Sequence, residues 1–183
     1  GEWKITVDVF RDLGLAFAAA LVMIYVLLVG QTGSLTLPLV MMIAIPLTVI
    51  GIMPGFWLLN QLMATPIAGY PNPIYFTATA MIGMIALAGI VVRNSIILID
   101  FIERIRARAN VTLAEALIEA GAIRLRPIFL TAGAAMFGAF VIILDPIFSG
   151  LAWSFIFGIF ASTLFSLLVI PIVYFLINQE KYD

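Results

Sequence analysis

The chain has 183 residues, of which 64% are hydrophobic and 10% charged, with a formal charge of -1 and a mean hydropathy of +1.20. A soluble domain carries roughly 45–50% apolar and about 25% charged residues, so this composition describes an integral membrane protein and excludes an ordinary soluble domain. Cysteine and histidine are both absent, which excludes disulfides, thiolate nucleophiles, Cys/His zinc sites and histidine bases; no enzyme activity, no cofactor and no nucleic-acid partner is expected.

In chain order, residues 1–12 form a mixed-charge lead-in expected outside the membrane. It opens on Gly1 rather than Met and lacks the pattern of a signal peptide, so a preceding segment is expected. Apolar runs then recur at about 13–29, 37–59, 76–102, 127–144 and 151–177, each long enough to cross a hydrocarbon core of about 30 Å. The fold class that follows is all-α membrane protein: a bundle of about five transmembrane helices, spanning 13–177, plus a short cytoplasmic amphipathic helix and a cytoplasmic tail at 178–183.

Pro38, Pro46 and Pro54 remove backbone donors from the second run and should bend it. Gly51 and Gly55 make a GxxxG step, read either as a packing face or as coincidence. Asn60 to Tyr75, with Pro66, Pro71 and Pro73, reads as an exposed loop. Thr112 and Glu115 fit a capping box that starts the amphipathic helix at about 112–123, and Pro127 suits the first position of the next helix. Asp145-Pro146 marks a turn, and Ser154, Gly158, Ser162 and Ser166 form a small-residue stripe that predicts a helix contact face.

Five of the nine Lys and Arg residues, Arg104, Arg106, Arg108, Arg124 and Arg126, fall between the third and fourth spans. The positive-inside rule therefore puts that connection in the cytoplasm, the N-terminus outside and the C-terminus inside. Trp3, Trp57 and Trp153 then all fall near the outer interface, where amphipathic rings settle.

The costly feature is Arg93, followed by Asn94, within an otherwise apolar run. A guanidinium near the bilayer midplane costs from about 2.5 to more than 10 kcal/mol, so such residues usually face a bundle interior and mark an ion or substrate pathway. Asp100 lies seven residues on, sharing a helix face but about 10 Å away along the axis. It is the one nearby carboxylate; a solvated end residue is its simpler reading and a relay member the alternative. Thr131 is placed to face the same site. Two readings of Arg93 stand open: part of an ion-coupling site, or a side chain that snorkels to the inner interface of a self-contained structural or oligomeric bundle. A guanidinium does not release its proton in normal operation, so Arg93 is a fixed cation rather than a proton carrier.

These residues resemble the transmembrane part of the C-terminal half of resistance-nodulation-division (RND) efflux transporters. Gly89 to Phe101 is similar to the family's tenth helix, where a Lys-Asn pair precedes Ala-Ile-Leu and an acidic residue. Leu125-Arg126-Pro127-Ile128-Phe129-Leu130-Thr131 resembles the start of the eleventh, Val29 to Pro46 the eighth-to-ninth connection, and Val169-Ile170-Pro171-Ile172-Val173-Tyr174-Phe175 the end of the twelfth. The resemblance implies a fragment of a proton-driven multidrug or metal exporter of the bacterial inner membrane, with H+ as coupling ion. It further implies that Arg93, Asn94, Arg124 and Thr131 belong to a proton relay facing an aspartate pair on the fourth helix. The implied partners are the N-terminal half and periplasmic domains of the same transporter, lipid, two further copies in a trimer, a periplasmic adaptor and an outer-membrane channel. Arg93 stands where the best-known drug pumps carry lysine, and a chain without the other half is expected to be inactive as a pump.

Overall fold

A computed structural model describes residues 1–63, 66, 69, 70, 73–108 and 111–182, and side chains as far as residue 178. Pro71 of the expected loop and Asp183 of the expected tail lie outside the described residues. Among the described residues six helices are formed: α1 (Glu2–Thr32), α2 (Thr36–Met42), α3 (Ala44–Met63), α4 (Ala78–Arg108), α5 (Leu113–Ile142) and α6 (Ser149–Tyr182). With α2 and α3 taken together, five segments are long and apolar enough to cross a membrane. The protein is an all-α membrane bundle.

Helix ends follow local chemistry. Gly33 closes α1 in the left-handed conformation, φ 64°, and donates its N–H to the Val29 carbonyl, a backbone state glycine adopts without a Cβ clash. The break between α2 and α3 falls at Ile43, three residues before Pro46; proline has no N–H to offer the Met42 carbonyl and its ring crowds that turn. Thr112 caps α5 in a complete capping box with Glu115. At the start of α6, Asp145 Oδ1 accepts from the backbone N–H of Ile147 at 2.8 Å and of Phe148 at 3.0 Å.

One expectation about element boundaries changes. The amphipathic segment from Leu113 runs without interruption into the apolar segment, so Pro127 lies inside α5 rather than at a helix start. The proline frees only the Ile123 carbonyl, and a helix already propagating from a strong cap continues through one missing bond where other groups re-satisfy it. Pro54 and Pro171 likewise lie inside α3 and α6.

The bundle is organised around α6, which makes the most extensive contacts, with α3, α4 and α5. Small residues set the approach. A Cβ on Gly51 would collide with Ala161, one on Gly55 with the Phe157 ring, and one on Gly158 with Leu87; one on Gly83 would lie 2.5 Å from Ser154 Oγ and 3.0 Å from the Leu151 carbonyl oxygen. Ser154 is fully buried, as is nearly all of Ser162, and Ser154 donates to the Ala80 carbonyl of α4 at 2.9 Å. With no hydrophobic drive between helices in lipid, such close contact and interhelical hydrogen bonding hold them together.

One end of the bundle is tied by Asn60, whose side chain pairs with both backbone groups of Ile74, at 2.6 and 2.8 Å, and by an edge-to-face contact of Phe56 with Phe76, centroids 5.6 Å apart. The opposite end carries the arginine cluster, where Tyr174 Oη, buried in α6, donates to Glu103 Oε1 of α4 at 3.5 Å. By contrast, among the described residues α1 buries only Leu28, and the helices it packs on are α2 and α4.

Gly51→Ala is expected to lower the thermal unfolding midpoint of the detergent-purified protein more than Gly158→Ala. The Ala161 methyl and backbone facing Gly51 cannot move independently, whereas the Leu87 tip facing Gly158 can rotate; overpacking of the rigid kind costs about 1–3 kcal/mol. Gly138→Ala, with nothing within 4 Å of the added carbon, should be neutral or slightly stabilising.

Candidate functional site

Residues Ala78 to Arg108 form a single helix, so α4 carries a complete set of faces past Arg93. Val91, Val92, Ser95, Leu98, Ile99 and Ile102 are buried, while Arg93, Ile97, Asp100, Arg104 and Arg108 are exposed. Steps of four, three, four and four put these exposed residues in one stripe along the helix. The bundle thus holds the α4 face opposite to Arg93, and the guanidinium is directed away from the packed core by the packing itself.

The α4 stripe borders a groove shared with α5. Arg93, Asn94, Arg124, Thr131, Ile97 and Ile128 contribute to the walls of a space of about 270 Å³. The four residues that the sequence singled out around Arg93 therefore come together, two from α4 and two from α5. Asp100 lies in an adjoining space of about 690 Å³, with Arg104, Arg108 and Glu119. Ile97 and Arg124 line both spaces, so they form the boundary between them.

The charged side chains give the groove its electrostatics. The Arg124 guanidinium lies over the Phe101 ring, 4.4 Å from its centroid, an arrangement favoured by the negative face of the ring. Arg124 Nε is buried without a hydrogen-bond partner among the described residues. Asp100 Oδ2 pairs with Arg104 Nε at 2.9 Å, both side chains more than half exposed; solvent screening holds such a pair to about 0–1 kcal/mol. Arg93 forms no hydrogen bond or ion pair among the described residues. Asp100 is therefore not its partner, and the geometry leaves the Arg93 cation open to a group outside those residues. Thr131 Oγ1 donates to the Ile128 carbonyl at 3.0 Å, a local bond a hydroxyl can exchange by rotation. No cluster of three or more metal-ligating side chains occurs among the described residues.

The small residues Gly51, Gly55, Ser154, Gly158 and Ser162 do not line this groove; the first four lie on contacts of α3, α4 and α6, and Ser162 is buried on α6. Ile97, Phe101 and Glu119, to which the sequence assigns no role at the site, also line these spaces. The only signal for Ile97 is indirect, its spacing from the charged Arg93, Asp100, Arg104 and Arg108. The stacking of Phe101 under Arg124 had no signal, because it depends on how α4 and α5 cross.

Residues 9–178 match the model of the AcrB/AcrD/AcrF family. The swarming motility protein SwrC of Bacillus subtilis (strain 168) is 37% identical over 173 residues, covering 91% of this chain and 15% of the relative. An uncharacterized transporter of Haemophilus influenzae is 32% identical over 174 residues, covering 92% and 16%. The multidrug resistance protein MdtF of Escherichia coli (strain K12) is 25% identical over 172 residues, covering 89% and 15%. A heavy metal efflux pump solved by X-ray crystallography superposes with a TM-score of 0.77 at 24% identity, over 98% of this chain and 17% of its own, a likeness of fold. The chain thus spans about 15% of the length of the curated relatives it matches.

The stripe predicts a labelling pattern, and the absence of cysteine from the chain gives a clean background within it. Single cysteines at positions 93, 97 and 100 should react with a membrane-impermeant thiol reagent much faster than cysteines at 92, 95 and 99, as measured by mass-shift gels. A flat profile across 92–100 would contradict the groove.

Proposed function

The chain belongs to the AcrB/AcrD/AcrF family of RND efflux transporters, and from that premise we propose that it supplies the cationic half of the transmembrane proton-coupling site of a larger exporter. The observation that carries this reading is the meeting of Arg93, Asn94, Arg124 and Thr131 around one groove, with Arg93 unpaired among the described residues.

Arg93 acts as a fixed countercharge. A guanidinium keeps its proton under physiological conditions, so the titrating groups are carboxylates brought by another segment of the transporter. When these are ionised, Arg93 binds them by charge-assisted hydrogen bonds, the strongest kind available to it. When they take up protons, the attraction falls and Arg93 turns to Asn94, Thr131 Oγ1 or water. A side-chain movement inside an apolar bundle alters helix packing, and that change is what transmits proton uptake to the parts that move cargo. Arg124, held over Phe101, keeps the groove positive and so favours the ionised carboxylates. H+ is the coupling ion, and no other cofactor enters.

The partners follow from the same reading: the other half of the transporter and its periplasmic domains, lipid, and, in the intact assembly, two further copies, a periplasmic adaptor and an outer-membrane channel. The arginine-rich end of α4 and α5 faces the cytoplasm of a bacterium's inner membrane, with the N-terminus outside and the C-terminus inside. The cargo is a drug-like compound or a metal ion, as the names of relatives and structural neighbours indicate for those proteins. Alone, this chain does not pump.

In the full-length transporter, Arg93→Ala should reduce export to background with normal protein levels, because removing one partner of a buried charge pair leaves the other uncompensated at about 3–5 kcal/mol. Arg93→Lys should retain a measurable fraction, since it keeps the charge while losing the planar fork. Export by Arg93→Ala at the wild-type rate would contradict the assignment and favour a snorkelling arginine in a structural bundle.

A further inference from the structure

We infer that the 690 Å³ space beyond Ile97 is the exit through which protons leave the coupling site for the cytoplasm, with Asp100 as its carboxylate station and Ile97 as the apolar barrier between station and site. This rests on the coupling role proposed for Arg93.

Three observations converge on it. The two spaces adjoin, sharing Ile97 and Arg124 in their walls, so together they extend from Thr131 to Arg108 along α4 and α5 with Ile97 between them. On the α4 stripe Ile97 is the sole apolar residue between two charged ones, Arg93 and Asp100. A lone apolar residue at that place interrupts a water file, and water-filled paths are commonly gated by such constrictions. Beyond it Asp100, Arg104, Arg108 and Glu119 join the wall beside the apolar Phe101, Ile105 and Ile123. Four charged groups of both signs in one wall suit water better than hydrocarbon.

The groups around Asp100 fit a transfer station. Arg104 and Glu103 lie on its own helix, Glu119 and Arg124 face it from α5, and Gln31 and Thr32 of α1 border a second, smaller space that Asp100 also lines. A proton released by the coupling carboxylates passes through water beyond Ile97 to an Asp100 carboxylate oxygen. Neutralised Asp100 loses its attraction for Arg104, gives the proton to water in the wider space and re-forms the pair. One proton is taken up and one released, and every arginine keeps its charge.

The test uses the full-length transporter in proteoliposomes with an imposed pH gradient, reading proton flux by a pH-sensitive dye and export by substrate counting. Asp100→Asn should slow proton-driven export about tenfold; this is less than the roughly hundredfold or more of a positioned acid-base group, because water partly substitutes along the groove. Arg104→Gln should keep most of the activity, which separates a proton station from a merely structural ion pair, and Asp100→Glu should restore it. Ile97→Ser should raise the proton leak without substrate several-fold. Wild-type export and leak in Asp100→Asn and Ile97→Ser, beside an inactive Arg93→Ala, would overturn the exit route alone. Equal losses in Arg104→Gln and Asp100→Asn would also overturn it. Full export by Arg93→Ala would instead overturn the coupling role.

Discussion

A guanidinium inside an apolar helix must be answered by something, and in this bundle nothing among the described residues answers Arg93. The rest of the structure holds that charge in place without neutralising it. Val91, Val92 and Ser95 are buried on the far side of α4, and rotating the helix to bury Arg93 would expose them while leaving a cation in a dry core. The direction of the charge is therefore a consequence of packing. Among the described residues that packing brings no carboxylate to it.

The packing is rigid because α6 sits so close to its neighbours. Where glycine or alanine replaces a larger side chain at a helix crossing, backbones approach until atoms of one helix fill the space a Cβ would have taken, as at Gly51 with Ala161 and Gly158 with Leu87. Close-packed contacts of this kind have few alternative arrangements. The crossing of α4 with α5 differs. It is less extensive than those of α6, and along it lies the groove in which Arg124 stacks on Phe101. A bundle tight on one side and open on the other suits a site that must exchange partners while its scaffold stays fixed.

Much of this was legible in the sequence. Hydropathy and length identified the spans, because a membrane helix needs about twenty apolar residues and few other structures have that signature. The capping box at Thr112 and the turns at Gly33 and Asp145 were readable because each rests on contacts between residues a few positions apart. Arg93, Asn94, Arg124 and Thr131 could be named from their types and their resemblance to a family pattern. Continuity through Pro127 could not, since proline is equally at home at the start of a helix and, where neighbours compensate, inside one. The role of Ile97 as a boundary was hidden for a different reason. An isoleucine in an apolar run carries no information until the charged residues four before and three after it are seen to share its face.

The claim on which the account rests is that Arg93 binds a carboxylate supplied by another segment of the transporter. The direct measurement is a high-resolution structure of the full-length protein in a lipid bilayer at a pH that leaves carboxylates ionised. The account predicts an Asp or Glu oxygen from outside this chain within hydrogen-bond distance of the Arg93 guanidinium, at the mouth of the α4–α5 groove. An Arg93 side chain extended to the membrane surface and touching only lipid headgroups would contradict it.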